Sequence, residues 1–88
     1  MIKKQFVFSN GEGLHARPAS QLVAAATPFK SELSLEYKEK KVNLKSILGV
    51  MSLGVAAGST ITVIADGEDE GEAMNKLEEL LRSEGAQD

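Results

Sequence analysis

Two apolar alternations joined by a short charged link constrain this chain more than any other feature. Leu33, Leu35 and Tyr37 alternate with Ser34 and Glu36, and Val42 and Leu44 resume the pattern after a charged link, which reads as a hairpin around Lys38-Glu39-Lys40. Period-two apolar spacing marks a half-buried strand. A link this short joins only antiparallel neighbours, because a parallel return needs a crossover of a dozen or more residues. The link lacks the Asn-Gly chemistry that tight hairpins favour, so the hairpin is expected and its turn geometry is left open.

The remaining elements read outward from that hairpin. Ile2, Lys4, Phe6 and Phe8 share one face at period two, which predicts a strand over about residues 2–8. Ile61, Val63 and Ala65 predict another, with Ile64 apolar on its other side. Ala19, Leu22, Val23 and Ala26 recur at helical spacing up to Thr27-Pro28, where proline stops the helix, whereas Pro18 falls harmlessly in its first turn. Ser46 to Leu53 reads as a short helix capped by Ser46, with Gly54 and Gly58 at its exit. In the last helix Asp69-x-x-Glu72 is similar to a capping box, Ala73, Leu77, Leu80 and Leu81 form the stripe, and Gly85 suits the stop. The acidic cluster Glu68, Asp69, Glu70 and Glu72 suits the positive end of that helix's dipole. The order β-α-β-β-α-β-α predicts an α+β fold with amphipathic helices on one face of an antiparallel sheet.

Eighty-eight residues make one domain, 1–88, with a single core. A composition 42% hydrophobic and 26% charged is that of an ordinary globular protein. Ten Lys and Arg against 13 Asp and Glu, a net charge of −3, argue against nonspecific binding to nucleic acid or anionic membranes. No apolar run approaches the roughly 20 residues of a membrane helix, and no secretory apolar segment follows Met1-Ile2-Lys3-Lys4-Gln5. With no cysteine there is no disulfide, thiol catalysis or Cys-ligated zinc, and a single histidine makes a poor metal set. No metal or cofactor is expected, and a cytoplasmic location fits.

The chemistry concentrates at Gly13-Leu14-His15-Ala16-Arg17-Pro18-Ala19-Ser20, which holds the only histidine. His15 lies between a glycine-marked loop and a helix start, where free backbone N–H groups and the dipole favour anions and a neutral, nucleophilic imidazole. Arg17 follows two residues later, so a phosphoryl group on His15 would meet backbone donors and a guanidinium. Taken singly, each side chain also reads as an ordinary surface residue. Gly11-Glu12-Gly13-Leu14-His15-Ala16 matches a dinucleotide fingerprint, with Glu36 at the expected offset, yet hairpin-linked strands in so short a chain exclude the doubly wound fold. No G-x-S-x-G elbow is present. Ser46 needs no role beyond its cap, although a phosphate there would suit the helix start. Around it, Ile47, Leu48, Val50, Met51 and Leu53 are more apolar than one face of a two-turn helix buries. Either some form a docking patch or all are core.

At these residues the sequence resembles the HPr family, the histidine-containing phosphocarriers of the bacterial sugar phosphotransferase system. Gly13-Leu14-His15-Ala16-Arg17-Pro18-Ala19 is similar to the family's phosphorylation-site signature. Val42-Asn43-Leu44-Lys45-Ser46-Ile47-Leu48-Gly49-Val50-Met51-Ser52-Leu53-Gly54 is similar to its regulatory-serine segment in Firmicutes. The resemblance implies an open-faced β-sandwich, a four-stranded antiparallel sheet of order 1-4-2-3 with three helices on one side. It implies that His15 accepts a phosphoryl group on Nδ1 from enzyme I and passes it to IIA domains of sugar permeases, with Arg17 neutralising the group. It further implies Ser46 phosphorylation by HPr kinase/phosphorylase, corepressor binding of that form to the catabolite control protein CcpA, and partner docking around Ala16, Ser20, Ile47, Leu48 and Met51. Such a protein is a carrier with no turnover of its own, expected to be a monomer.

Two features depart from the pattern. Position 12, usually Ser or Asn in the family, is Glu12, whose carboxylate near His15 would raise the imidazole pKa and repel incoming phosphate. The hairpin also lacks the Asn-Gly frequent in Gram-positive relatives. Two rival readings are a regulatory-only paralogue of the Crh type and a stand-alone anion- or peptide-binding module. Crh-type paralogues typically carry glutamine in place of the histidine, so the intact His15 weighs against the first.

Overall fold

The computed structural model describes residues 1–8 and 16–87. Its elements are β1 (Ile2–Phe8), α1 (Ala16–Ala26), β2 (Glu32–Tyr37), β3 (Lys40–Asn43), α2 (Ile47–Ser52), β4 (Thr60–Asp66), α3 (Glu70–Ser83) and β5 (Ala86–Gln87). All pairings are antiparallel, in the order β3-β2-β4-β1-β5. The four long strands thus stand in the expected order 1-4-2-3.

Register follows from burial. Phe6 faces Ile61, Leu35 faces Val63, and Leu33 faces Ala65, so the apolar set of each strand lands on one side. A one-residue slip would send that whole set to solvent. Against this face lie Ala19, Leu22, Val23 and Ala26 of α1, Val50 of α2, and Ala73, Leu77 and Leu81 of α3, all in one buried cluster. Met74 of α3 is also buried, at 2% exposure, and Leu80 only partly, a one-residue rotation of the expected stripe. Ile64 points to the other face, between Lys3 and Ser34 in the register, and is nevertheless buried.

Three local features depart from expectation or resolve what the sequence left open. The hairpin turns on Lys38 and Glu39 alone, with φ of 48° and 69°. Positive φ at both central residues is the type I′ pattern that normally recruits Asn-Gly, here made by two residues with a Cβ. The Lys38 ammonium lies 5.3 Å from the Tyr37 ring centroid, and the Tyr37 hydroxyl pairs with Ser59 Oγ at 3.2 Å.

Asp69 stands at the N-cap of α3 but makes no capping hydrogen bond, which corrects the expected capping box. Its carboxylate accepts instead from the Lys30 and Ser31 backbone N–H groups, each at 2.9 Å, and from the Ser31 hydroxyl. Those two N–H groups precede the first residue of β2, so they lie outside its regular pairing and need another acceptor. The Ser31 hydroxyl first, and then the Lys30 N–H, hold the Asp69 carboxyl down to about 2. Gly67 permits this close approach, since a Cβ there would come within 2.6 Å of Ser31 Cα.

The third departure is β5. Gly85, with φ of 93°, ends α3 as expected, but the chain then turns back to pair Ala86 with Phe8 and Gln87 with Val7. A two-residue strand carries no periodicity to read.

Candidate functional site

The helix start expected to carry the chemistry begins at Ala16. Gly11, Glu12, Gly13, Leu14 and His15 lie outside the described residues. By helix geometry the N–H groups of Ala16, Arg17 and Ala19 have no acceptor within α1, and Pro18, buried in the first turn, contributes none. This leaves a donor-rich, dipole-positive end with no acidic residue in its first turn. Ser20 is exposed one turn in.

The Arg17 side chain is 71% exposed, and its Nε lies 3.7 Å from Glu84 Oε1, whose side chain is only 15% exposed. Glu84 is the C-terminal cap residue of α3, so the end of that helix meets the start of α1. Sequence reading missed this partner: a single glutamate 67 positions away in a chain with 13 acidic residues carries no distinguishing signal. The pair is loose and solvated on its Arg17 side, so it holds the guanidinium only weakly against a competing anion.

The second candidate, Ser46, holds its expected place. Its backbone is extended, at φ −118° and ψ 113°, and its Oγ accepts from the Gly49 N–H at 3.1 Å. The residues before it form a small turn in which Asn43 Oδ1 accepts from the Lys45 N–H at 2.8 Å. Gly49 suits the cap, because a Cβ at that position would sit 3.3 Å from Ser46 Oγ. Acting as a cap acceptor leaves the Ser46 O–H as a donor on a half-buried side chain.

The α2 segment divides into a buried and an exposed face, which decides between the two readings of its composition. Val50 and Leu53 are buried at 1% and 8% exposure, whereas Ile47, Leu48 and Met51 are exposed at 44%, 84% and 46%. These three are most of the large exposed hydrophobics among the described residues, the others being Met1 and Val7. Since α1 packs against α2, the start of α1, Ser46 and this apolar patch belong to neighbouring helices on the same side of the sheet. Among the described residues no cluster of three or more His, Cys, Asp or Glu could hold a metal ion. No helix there is long and apolar enough to cross a membrane.

The family described as "PTS HPr component phosphorylation site" matches residues 2–83. Among solved structures, the histidine-containing phosphocarrier protein of Mycoplasma is 35% identical over 99% of this chain and 100% of its own, with a TM-score of 0.93. HPr of Thermoanaerobacter tengcongensis is 44% identical over 96% of this chain and 94% of its own, with a TM-score of 0.89. The catabolite repression protein Crh of Bacillus subtilis, whose crystal structure shows a swapping domain in an intertwined dimer, is 45% identical over 96% of this chain and 97% of its own, with a TM-score of 0.75.

Proposed function

Because the chain belongs to the HPr family, the phosphocarrier component of the phosphotransferase system, we propose that it relays phosphoryl groups through His15 and is regulated through Ser46. The observation that carries this reading is the family match over residues 2–83, a span containing both His15 and Ser46 in their expected motifs.

The relay is a pair of substitutions at phosphorus. The lone pair of neutral His15 Nδ1 forms an N–P bond as the bond between phosphorus and enzyme I breaks. The second step reverses the roles, and the group leaves for a nucleophile on a IIA domain. Arg17 supplies charge at this end of α1, exchanging its loose contact with Glu84 for the phosphoryl oxygens. A phosphoramidate transfers readily in both directions, which suits a carrier with no turnover of its own.

Phosphorylation of Ser46 by HPr kinase/phosphorylase would add a charge of roughly −1.5 to −2 beside Ile47 and the apolar patch. That charge would oppose docking of enzyme I by repulsion and desolvation, and create the surface that CcpA reads. Docking uses Ile47, Leu48 and Met51 of α2 together with Ala16 and Ser20 of α1. The intact His15 favours relay over a Crh-type role confined to Ser46. Incubation with enzyme I and phosphoenolpyruvate is expected to give an acid-labile, base-stable label that is lost in His15→Ala. A separate incubation with ATP and HPr kinase should label the wild type and not Ser46→Ala. Absence of the first label from the wild-type protein would overturn the relay.

A further inference from the structure

On the other side of the hairpin, a pocket of about 390 Å³ opens where β2 begins and β3 ends, lined by residues 30–34, 41–43 and Lys45. That volume falls within the range typical of small-molecule sites. Three of the chain's ten Lys and Arg line it, namely Lys30, Lys41 and Lys45, against one carboxylate, Glu32. In a protein of net charge −3 this is a local excess of cations.

Those cations are not used by the fold. Among the described residues neither Lys30 Nζ nor Lys41 Nζ has an ion-pair partner; Glu36 lies opposite Lys41 in the ladder without pairing to it. Lys45 Nζ is held in place by a neutral acceptor, the Phe29 carbonyl at 2.6 Å, so its charge is positioned but not compensated. Asn43 Oδ1 is occupied by the Lys45 N–H, which leaves the Asn43 amide N–H groups to donate. Ser34 shares the sheet face of Asn43 and Lys41, because Ser34 pairs with Asn43 and Glu36 with Lys41. Leu33 and Val42 belong to the opposite, core-facing side of the sheet, so the side chains that line the pocket are polar.

We infer that this pocket binds a small phosphate-bearing anion, with Lys30, Lys41, Lys45 and Asn43 receiving the phosphate. Three cations against the single lining carboxylate of Glu32, with donors fixed at Asn43 and Lys45, select an oxyanion.

Amide spectra of the isotope-labelled protein, titrated at low salt with glycerol 3-phosphate, inorganic phosphate or glycerol, test the assignment. Glycerol 3-phosphate is expected to cause saturable shifts confined to residues 30–34 and 41–45, half-complete at or below about 1 mM. Inorganic phosphate should shift the same amides, and glycerol should shift none. Lys30→Gln/Lys41→Gln should raise the half-saturation point roughly tenfold while the dispersed spectrum persists. The charge-matched remote control Lys3→Gln/Lys76→Gln should leave it unchanged. Shifts that never saturate, or an equal loss in the remote control, would overturn the site. Equal shifts with glycerol would overturn the role given to the phosphate.

Discussion

Leu48 and Val50 lie in the same six-residue helix and should fail in opposite ways when truncated. Leu48 is 84% exposed, so almost all of its side chain is available to a partner and almost none supports the fold. Removing three carbons by Leu48→Ala takes away apolar area worth about 2 kcal/mol when fully covered, at about 0.8 kcal/mol per methylene, or roughly a thirtyfold loss of affinity. Ile47 and Met51, each near half exposure, have about half as much side chain to contribute. Fold stability should move by less than about 0.5 kcal/mol, as at other surface positions. Val50 is 1% exposed, and Val50→Ala should instead cost roughly 2 kcal/mol of stability. In a domain this size that lowers the melting temperature by about 10 °C while leaving docking intact below it. Isothermal titration against enzyme I, paired with thermal melts, separates the two effects. If Leu48→Ala binds enzyme I like the wild type, the patch is not the docking surface. If it melts as low as Val50→Ala, the division of α2 into exposed and buried faces is wrong.

Three further outcomes follow from named contacts. Asp69 has a depressed folded-state pKa of about 2, against an ordinary value of 3.8, so its contribution is complete above the ordinary value and disappears as pH falls through the folded one. Urea midpoints between about pH 5 and about pH 2 should therefore fall more steeply in wild type than in Asp69→Asn, and parallel curves would refute the clamp on Lys30 and Ser31. Replacing Lys38 and Glu39 by Asn and Gly should relieve the positive-φ turn by about 1 kcal/mol and raise the melting temperature by roughly 5 °C; a decrease would mean that the turn is not strained. Glu84→Gln removes the carboxylate competing for Arg17, and rapid-quench assays should show phosphoryl uptake up to about fivefold faster, whereas slower uptake would show that Glu84 orients Arg17 productively.

The strands and helices were legible because each long element carries its own period. Phe6 and Phe8, Leu33 to Tyr37, and Ile61 to Ala65 alternate, and the stripe of α1 recurs at helical spacing, so pattern and burial coincide. What stayed hidden depends on residues far apart in sequence. Asp69 looked like a helix cap because local spacing cannot reveal that two unpaired N–H groups 38 and 39 positions earlier would compete for it. Glu84 was invisible for the same reason, and β5 is too short for any period. The exposed half of α2 was readable only as an excess, since one face of a six-residue helix has little room for four large apolar groups. Which of them stay outside is decided by the packing of α2 against α1 and β3.

The central claim is that phosphate passes through this chain. Reconstituting phosphoenolpyruvate, enzyme I, this protein and a purified IIA domain, and following the phosphohistidine of the IIA domain by phosphorus NMR, tests it most directly. The account predicts that the IIA signal appears only when this protein is present, persists with Ser46→Ala and vanishes with His15→Ala. A IIA signal that survives His15→Ala would contradict it, as would a wild-type protein that takes up phosphate and never delivers it.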